Sequence, residues 1–371
     1  MPTTLGYAEP VDAEFAQDPF PSKIGGKPRW LDPRHALAAE RVACDECGKP
    51  MVLLMQLSAP EDDPPSAFHR MLYVFICRTG SCHTSGASRC MRAFRSQLPE
   101  DNAVYTAKGG EGDDCDIEWE KTAGVEAAAE CVVCGLQGNK TCSTCHGRRY
   151  CSRAHQVADW DAGHKAQCSI MPHAESADHM RRLRRMIFPE HVIVSEEEAE
   201  EQPETDSDSD SEEAEPNSVV PVTSERVEDS ETEVDAAFME FQRRIQRDPD
   251  QVLRYARAPD AETEPMLLVS DSGAPTDIPA CEACGAQREF EFQVMPQMLN
   301  YLDLDSTDPH SIDWGTLLVF SCPYSCEPTD TFMPEVVCKQ SFSSHGIGQK
   351  YLRAYYGDED AFSRQFESLD M

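Results

Sequence analysis

Positive charge is scarce in this 371-residue chain: 33 Lys and Arg stand against 67 Asp and Glu, a formal charge of -34 at pH 7. A main partner made of nucleic acid needs clustered Lys and Arg to displace counterions from phosphate. Direct nucleic-acid binding is therefore not expected, and a basic protein partner suits the sign better. Long apolar runs are missing too. No stretch approaches the roughly 20 apolar residues that span a bilayer, which argues against a membrane protein. The opening MPTTLGYAEPVDAEF has no basic start followed by an apolar run, so no secretory signal is expected and a cytoplasmic and nuclear location follows. Catalytic signatures are lacking as well: there is no G-x-S-x-G elbow, no H-E-x-x-H and no Gly-rich cofactor loop. An enzyme is not expected.

Cysteine is plentiful, with 17 residues, most of them in C-x-x-C-type pairs. In a reducing compartment such pairs mean metal before disulfide. They also mark an internal repeat. LYVFIC at 72–77 returns as LLVFSC at 317–322, CDECG at Cys44 returns as CEACG at Cys281, and a further cysteine follows each strand, Cys82 and Cys326. Two copies suggest two related β-rich domains, since a solenoid needs more. Both faces of the shared strand are apolar, as in a central strand covered on both sides. Its terminal cysteine reaches the sheet rim, where the preceding C-x-x-C can meet it. Cys44, Cys47, Cys77 and Cys82 are accordingly assigned to one zinc, and Cys281, Cys284, Cys322 and Cys326 to a second. Cys90, Cys115 and Cys338 are left over; Cys90 and Cys338 follow the repeat strand at similar positions, either as replacements for a named ligand or as small buried hydrophobes. A redox role is disfavoured because the pairs lead through Gly48 and Gly285 into strands, not into a helix.

Between the copies, residues 131–168 carry C-x2-C-x7-C-x2-C-x5-C-x3-H-x8-H-x3-C, eight ligands and enough for two tetrahedral zincs. This run resembles a MYND-type zinc finger. The resemblance implies interleaved pairs: Cys131, Cys134, Cys151 and His155 on one zinc, Cys142, Cys145, His164 and Cys168 on the other. The common form has Cys where this chain has His155. Eight filled positions leave none open for water, so these zincs are expected to be structural, each supplying roughly 10 kcal/mol or more to a segment with little core of its own. The resemblance further implies that short proline-containing peptides bind the second half, along Gln156, Trp160 and His164. Trp160 has a second reading, as a core residue of so small a module. His146 and His173 read as surface residues.

From Ser195 to Asp235, 18 acidic residues face one Arg, a net of -17. Such a segment cannot bury enough apolar surface to offset chain entropy and is expected to be a disordered linker. Thr205, Ser207 and Ser209 each have an acid three residues on, the pattern of acidophilic kinases. After it, Phe238, Phe241 and Ile245 share a helical face up to Pro249, and a second short helix is expected through Val252, Leu253 and Tyr255. The four Arg of MRRLRRMIF, 180–188, read either as a cationic helix face answering nearby carboxylates or as a nuclear signal or nucleic-acid patch.

LGYAEP, FPSKIGGKPRWL, CDECGKPMVLLMQL, FHRMLYVFIC, FRSQLP, FPEHVIV, IPACEACGAQREFEFQVMPQMLNYL and SIDWGTLLVFSC together resemble the programmed cell death protein 2 family. The likeness spans nearly the whole chain except the acidic linker and the tail after about Gln340. It implies an α+β fold of two related β-rich, zinc-stitched domains with an inserted MYND finger. The expected bounds are 1–127 with 171–194 for the first repeat, 128–170 for the finger, 195–235 for the linker, 236–345 for the second repeat and 346–371 for a tail, with cleavage in the linker leaving two folded fragments. The family is implicated as dedicated chaperones of one newly made small-subunit ribosomal protein, S two in eukaryotic naming, in support of 40S assembly. FPSKIGGKPRWL and EFQVMPQMLNYL mix apolar residues with Gly or Pro and read as client-contacting segments or as structural turns. The rival function is a MYND-dependent scaffold in transcription or cell-cycle control.

Overall fold

The repeat written twice in the sequence becomes the same antiparallel sheet twice. A computed structural model describes residues 3–83, 88–108, 118–169, 176–199, 236–256, 275, 277–305, 308 and 310–341. The first copy supplies β1 (Thr4–Pro10), β2 (Lys23–Ile24), β3 (Val52–Ser58), β4 (His69–Ile76) and β5 (Met91–Leu98), then a small hairpin of β6 (Tyr105–Ala107) and β7 (Trp119–Lys121). The finger follows with β8 (Lys140–Thr141), β9 (Arg149–Tyr150), α1 (Arg153–Asp159) and α2 (Lys165–Gln167); α3 (Ala177–Arg184) leads from it into β10 (His191–Glu197). The second copy is α4 (Ala236–Arg247), β11 (Gln251–Tyr255), β12 (Glu289–Val294), β13 (Thr316–Ser321) and β14 (Met333–Gln340).

Ten of these strands close into one barrel in the order β1-β10-β2-β3-β4-β5-β14-β13-β12-β11. It consists of two four-stranded units, β2-β3-β4-β5 and β11-β12-β13-β14, that meet directly along β5 and β14. On the far side the pair β1–β10 is laid between β2 and β11. The strands shared by the two copies are central, as their sequence requires: every residue of β4 and of β13 is buried. Each unit even carries its β-bulge at the same offset from the knuckle, at Leu54 in β3 and Glu291 in β12. The bulged carbonyls accept from Gly25 N–H at 2.8 Å and Ala256 N–H at 3.1 Å.

The two bulges differ in chemistry. Leu54 is an ordinary core residue, whereas Glu291 is fully buried and forms a bidentate pair with fully buried Arg70 of β4, 2.8 Å on one arm. Because β4 and β12 are not neighbours in the sheet, this pair crosses the inside of the barrel. A second buried group lies at the β5–β14 seam, where Arg95 and Arg288 flank Glu335 at 2.8 and 2.7 Å. Buried ions without such partners would be prohibitively costly, so each pair fixes how the two units sit together.

Three expectations change at this level. Both repeats are β-rich, but they are halves of one closed barrel and not separate bodies; Gly80 approaches so closely that a Cβ there would meet the His310 carbonyl oxygen at 1.5 Å. Val252, Leu253 and Tyr255 lie on β11 and not on a helix, because pairing with β1 and β12 on either side outweighs local preference. The strand β10 runs to Glu197, three residues into the stretch assigned to the acidic linker, with Glu198 N–H still bonding Thr3 carbonyl at 2.8 Å. The helix expected before Pro249 is α4, with Phe241 buried. Thr205, Ser207, Ser209, Cys115, His173 and the tail lie outside the described residues. No helix among the described residues is long and apolar enough to cross a membrane.

Candidate metal centres

Four turns of one design present the cysteines. In each, the residue after the second Cys returns its N–H to the carbonyl of the first: Gly48 to Cys44 at 2.8 Å, Gly135 to Cys131 at 2.9 Å, His146 to Cys142 at 3.0 Å and Gly285 to Cys281 at 2.8 Å. That closure needs left-handed backbone, and all four residues have it, with φ of 69, 78, 55 and 75° in the same order. The turn aims both sulfurs to one side, where the end of a later strand or helix brings two more ligands.

The structure gathers four sets with all ligand atoms within 4.8 Å of one another: Cys44, Cys47, Cys77, Cys82; Cys131, Cys134, Cys151, His155; Cys142, Cys145, His164, Cys168; and Cys281, Cys284, Cys322, Cys326. These are the groupings expected from the spacing and from the finger resemblance. Their dimensions suit zinc. Ligands about 2.3 Å from a tetrahedral metal stand about 3.8 Å apart, whereas a disulfide would bring sulfurs to about 2.05 Å. The Sγ–Sγ separations are 3.6 Å for Cys47–Cys77, Cys134–Cys151 and Cys284–Cys322, and 3.7 Å for Cys142–Cys168 and Cys281–Cys326. His155 turns Nδ1 toward Cys131 at 3.5 Å, and His164 turns Nε2 toward Cys145 at 3.5 Å.

Electrostatics points the same way. Burial pushes Cys82, Cys326 and Cys134 up, and neighbouring thiols add to the rise. Within the same sets Cys47 and Cys281 are brought down to about 7, where burial is outweighed by hydrogen bonds from backbone amides and adjacent thiols. His155, despite burial, is raised to about 9 by its bonds to Cys131 and Cys151. One member ionises only at its neighbours' expense, and a divalent cation removes that conflict by accepting several thiolates together. Bound zinc would supply cross-linking and no chemistry, because every ligand position is filled by protein.

Cys90 and Cys338 stay outside the clusters. Cys90 is buried 3.4 Å from His83 Nδ1, and Cys338 packs against Phe290, Leu318 and Phe320. A contact the spacing could not foretell is that of Arg95, which donates to the Cys326 carbonyl at 3.3 Å and lies 4.0 Å from its Sγ. A guanidinium of the first copy thus offsets the thiolate charge of the second copy's site. Nothing in FRSQ signals this role, since the partner is some 230 residues away.

In the finger, Asp159 is fully buried and accepts from Tyr150 at 2.7 Å and lies 2.7 Å from His179 Nε2 of α3. His164 belongs to the metal set and is fully buried, so it does not line a peptide groove. Trp160 is half-buried against the core with its ring edge-on to His164, Gln156 is half-buried, and Val157 beside them is 48% exposed. The segments read as client-contacting are structural: Lys23, Ile24, Trp30, Met295 and Met298 are buried, and Gly25 and Gly26 turn the chain at positive φ. Of the Arg run, Arg181 bonds Asp178 on the exposed face of α3 at 2.9 Å.

Comparison with known proteins matches residues 2–111 to the family described as Programmed cell death protein 2, N-terminal domain, residues 235–341 to Programmed cell death protein 2, C-terminal putative domain, and residues 131–168 to the MYND finger. Programmed cell death protein 2 of Mus musculus is 38% identical over 350 residues, covering 91% of this chain and 96% of the mouse protein. The Bos taurus protein of the same name is 37% identical over 92% of this chain and 97% of its own length. Probable 20S rRNA accumulation protein 4 of Schizosaccharomyces pombe is 29% identical over 112 residues, 28% of this chain and 27% of that protein. No solved structure matches.

Proposed function

Because the chain belongs to the programmed cell death protein 2 family, we propose that it is a dedicated chaperone that binds a newly made basic small-subunit ribosomal protein, S two in eukaryotic naming, and supports 40S ribosome assembly in the cytoplasm and nucleus. The observation that carries this reading is the chain's charge of -34, joined to a barrel with two all-cysteine sets and a finger with two Cys and His sets that suit structural zinc. A ribosomal protein before assembly exposes Lys and Arg meant for RNA; an acidic partner keeps it soluble and yields it to RNA. The fission-yeast relative is named as a probable 20S rRNA accumulation protein, which agrees with a role in ribosome assembly. A stiff, closed scaffold serves binding, and the reading is of a binding protein and not an enzyme. Gln156, Val157 and Trp160 offer a second, smaller surface for proline-containing peptides.

Affinity purification of the chain from cells with translation briefly arrested tests the reading. Recovery of one nascent small-subunit protein, released at high salt, is the expected result. If deleting residues 128–170 abolishes all partner recovery, and the partners are transcriptional or cell-cycle proteins, the finger-dependent scaffold replaces it.

A further inference from the structure

The barrel is closed on one side by a very short strand. β2 has two residues and pairs with β10 only at His191 and Val192, and the last bond in that line runs from Ile193 N–H to the Ser22 carbonyl at 2.9 Å. From there β10 continues for four residues, Val194 to Glu197, paired on its inner edge with Thr4 to Tyr7 of β1. The outer edge has no strand beside it among the described residues.

The register shows which groups face outward. Glu198 N–H bonds the carbonyl of Thr3, the residue just before β1, and Ile193 N–H bonds the Ser22 carbonyl on the other side. In an antiparallel ladder these directions alternate residue by residue, so the N–H and C=O of Ser195 and Glu197 point away from β1. Val194, Ser195, Glu196 and Glu197 are all exposed. An edge of this kind is a template for an added strand.

Charge selects the occupant. Glu198 is engaged by Arg254 at 2.6 Å and Arg244 at 3.6 Å, but neither Glu196 nor Glu197 has an ion-pair partner among the described residues. A second copy pairing edge to edge would set these carboxylates against their equals, and the acidic stretch after β10 is repelled for the same reason. A strand rich in Lys or Arg meets no such barrier.

We propose that the outer edge of β10, from Val194 to Glu197, binds an extended basic segment of the client, which adds a strand in the line where β2 stops. This rests on the chaperone reading and specifies where the client is held. Backbone bonds to Ser195 and Glu197 set register, and Glu196 and Glu197 select for cationic side chains.

Amide hydrogen exchange on the full zinc-loaded chain tests it with two probes, the purified small-subunit protein S two and a ten-residue peptide alternating lysine and valine. Protection of the Ser195 and Glu197 amides by both probes is expected. Ser195→Pro removes an outward donor while leaving the β1 bonds intact and should weaken binding about three- to tenfold with unchanged zinc content. Should that variant fold poorly, the double variant Glu196→Lys with Glu197→Lys keeps the backbone and should abolish protection by the lysine peptide. Client binding without protection at these amides, unaltered by either variant, overturns the docking edge and leaves the chaperone reading standing. Protection by the peptide when the client does not bind keeps the edge and sinks the chaperone reading. Protection that grows with protein concentration alone would mean self-pairing and overturns the proposal.

Discussion

His146 occupies the knuckle position where the other three metal turns place glycine, and it holds φ of 55° there with its side chain exposed. Left-handed backbone costs an L-residue about 1–2 kcal/mol, partly returned because glycine loses more entropy on folding. His146→Gly is expected to hold the finger's second zinc about two- to fivefold more tightly in a chelator competition, and His146→Val less tightly. His69 supplies the contrasting case of a titratable residue. Phe20 and Trp119 each lie 4.6 Å from its ring, Nε2 has no hydrogen-bond partner among the described residues, and burial lowers its pKa from 6.5 to about 4. The unfolded chain takes up this proton near pH 6.5 and the folded one only near 4, so stability is whole above 6.5 and is lost as pH falls through that window. With allowance for solvent at the cluster's rim, the loss should be about 1–2 kcal/mol. His69→Phe keeps the ring stack and should flatten the difference between melts at pH 7 and pH 5; an unchanged slope would assign it to the metal ligands.

At the scale of elements, the bulge in β12 determines how the two units meet. Glu291→Ala strands Arg70 inside the barrel and should cost about 3–5 kcal/mol in chemical denaturation, whereas Arg70→Met combined with Glu291→Leu should come within about 1–2 kcal/mol of the parent. If the single and double variants lose the same amount, the pair is not what orders the barrel interior. The repeat metal sets were legible in the sequence because a C-x-x-C turn is local chemistry and the shared strand ends on a cysteine that can meet it, whereas the interleaved pairing of the finger came from its resemblance to MYND fingers. The central strands were legible too, since LYVFIC and LLVFSC are apolar on both faces. Closure of the barrel was not: Arg70 and Glu291 look like surface charges until strands from both copies are set side by side, and β11 reads as a helix until its neighbours are known. Arg95 beside Cys326 was hidden for the same reason.

For the whole molecule, the shared barrel changes what a cut should do. Proteolysis within residues 200–235 is expected to leave both parts in one species on size-exclusion chromatography, because β1 pairs with β10 and β11 and β5 pairs with β14; two separately eluting folded fragments would contradict the seam. Metal analysis should return four zincs per chain, and a chelator that strips them should loosen the finger first, since its core is smallest. The placing of β1 has a consequence for how the protein is made. Its two partners are residues 191–197 and 251–255, and at roughly 5–20 residues per second β11 leaves the ribosome some 10–50 s after β1. Until β10 emerges, β1 of a nascent copy has neither neighbour, and from then until β11 follows it has only one. The strand β1, made well before its partners, is enclosed only once they appear, and a newborn copy passes through an open-edged stage of its own.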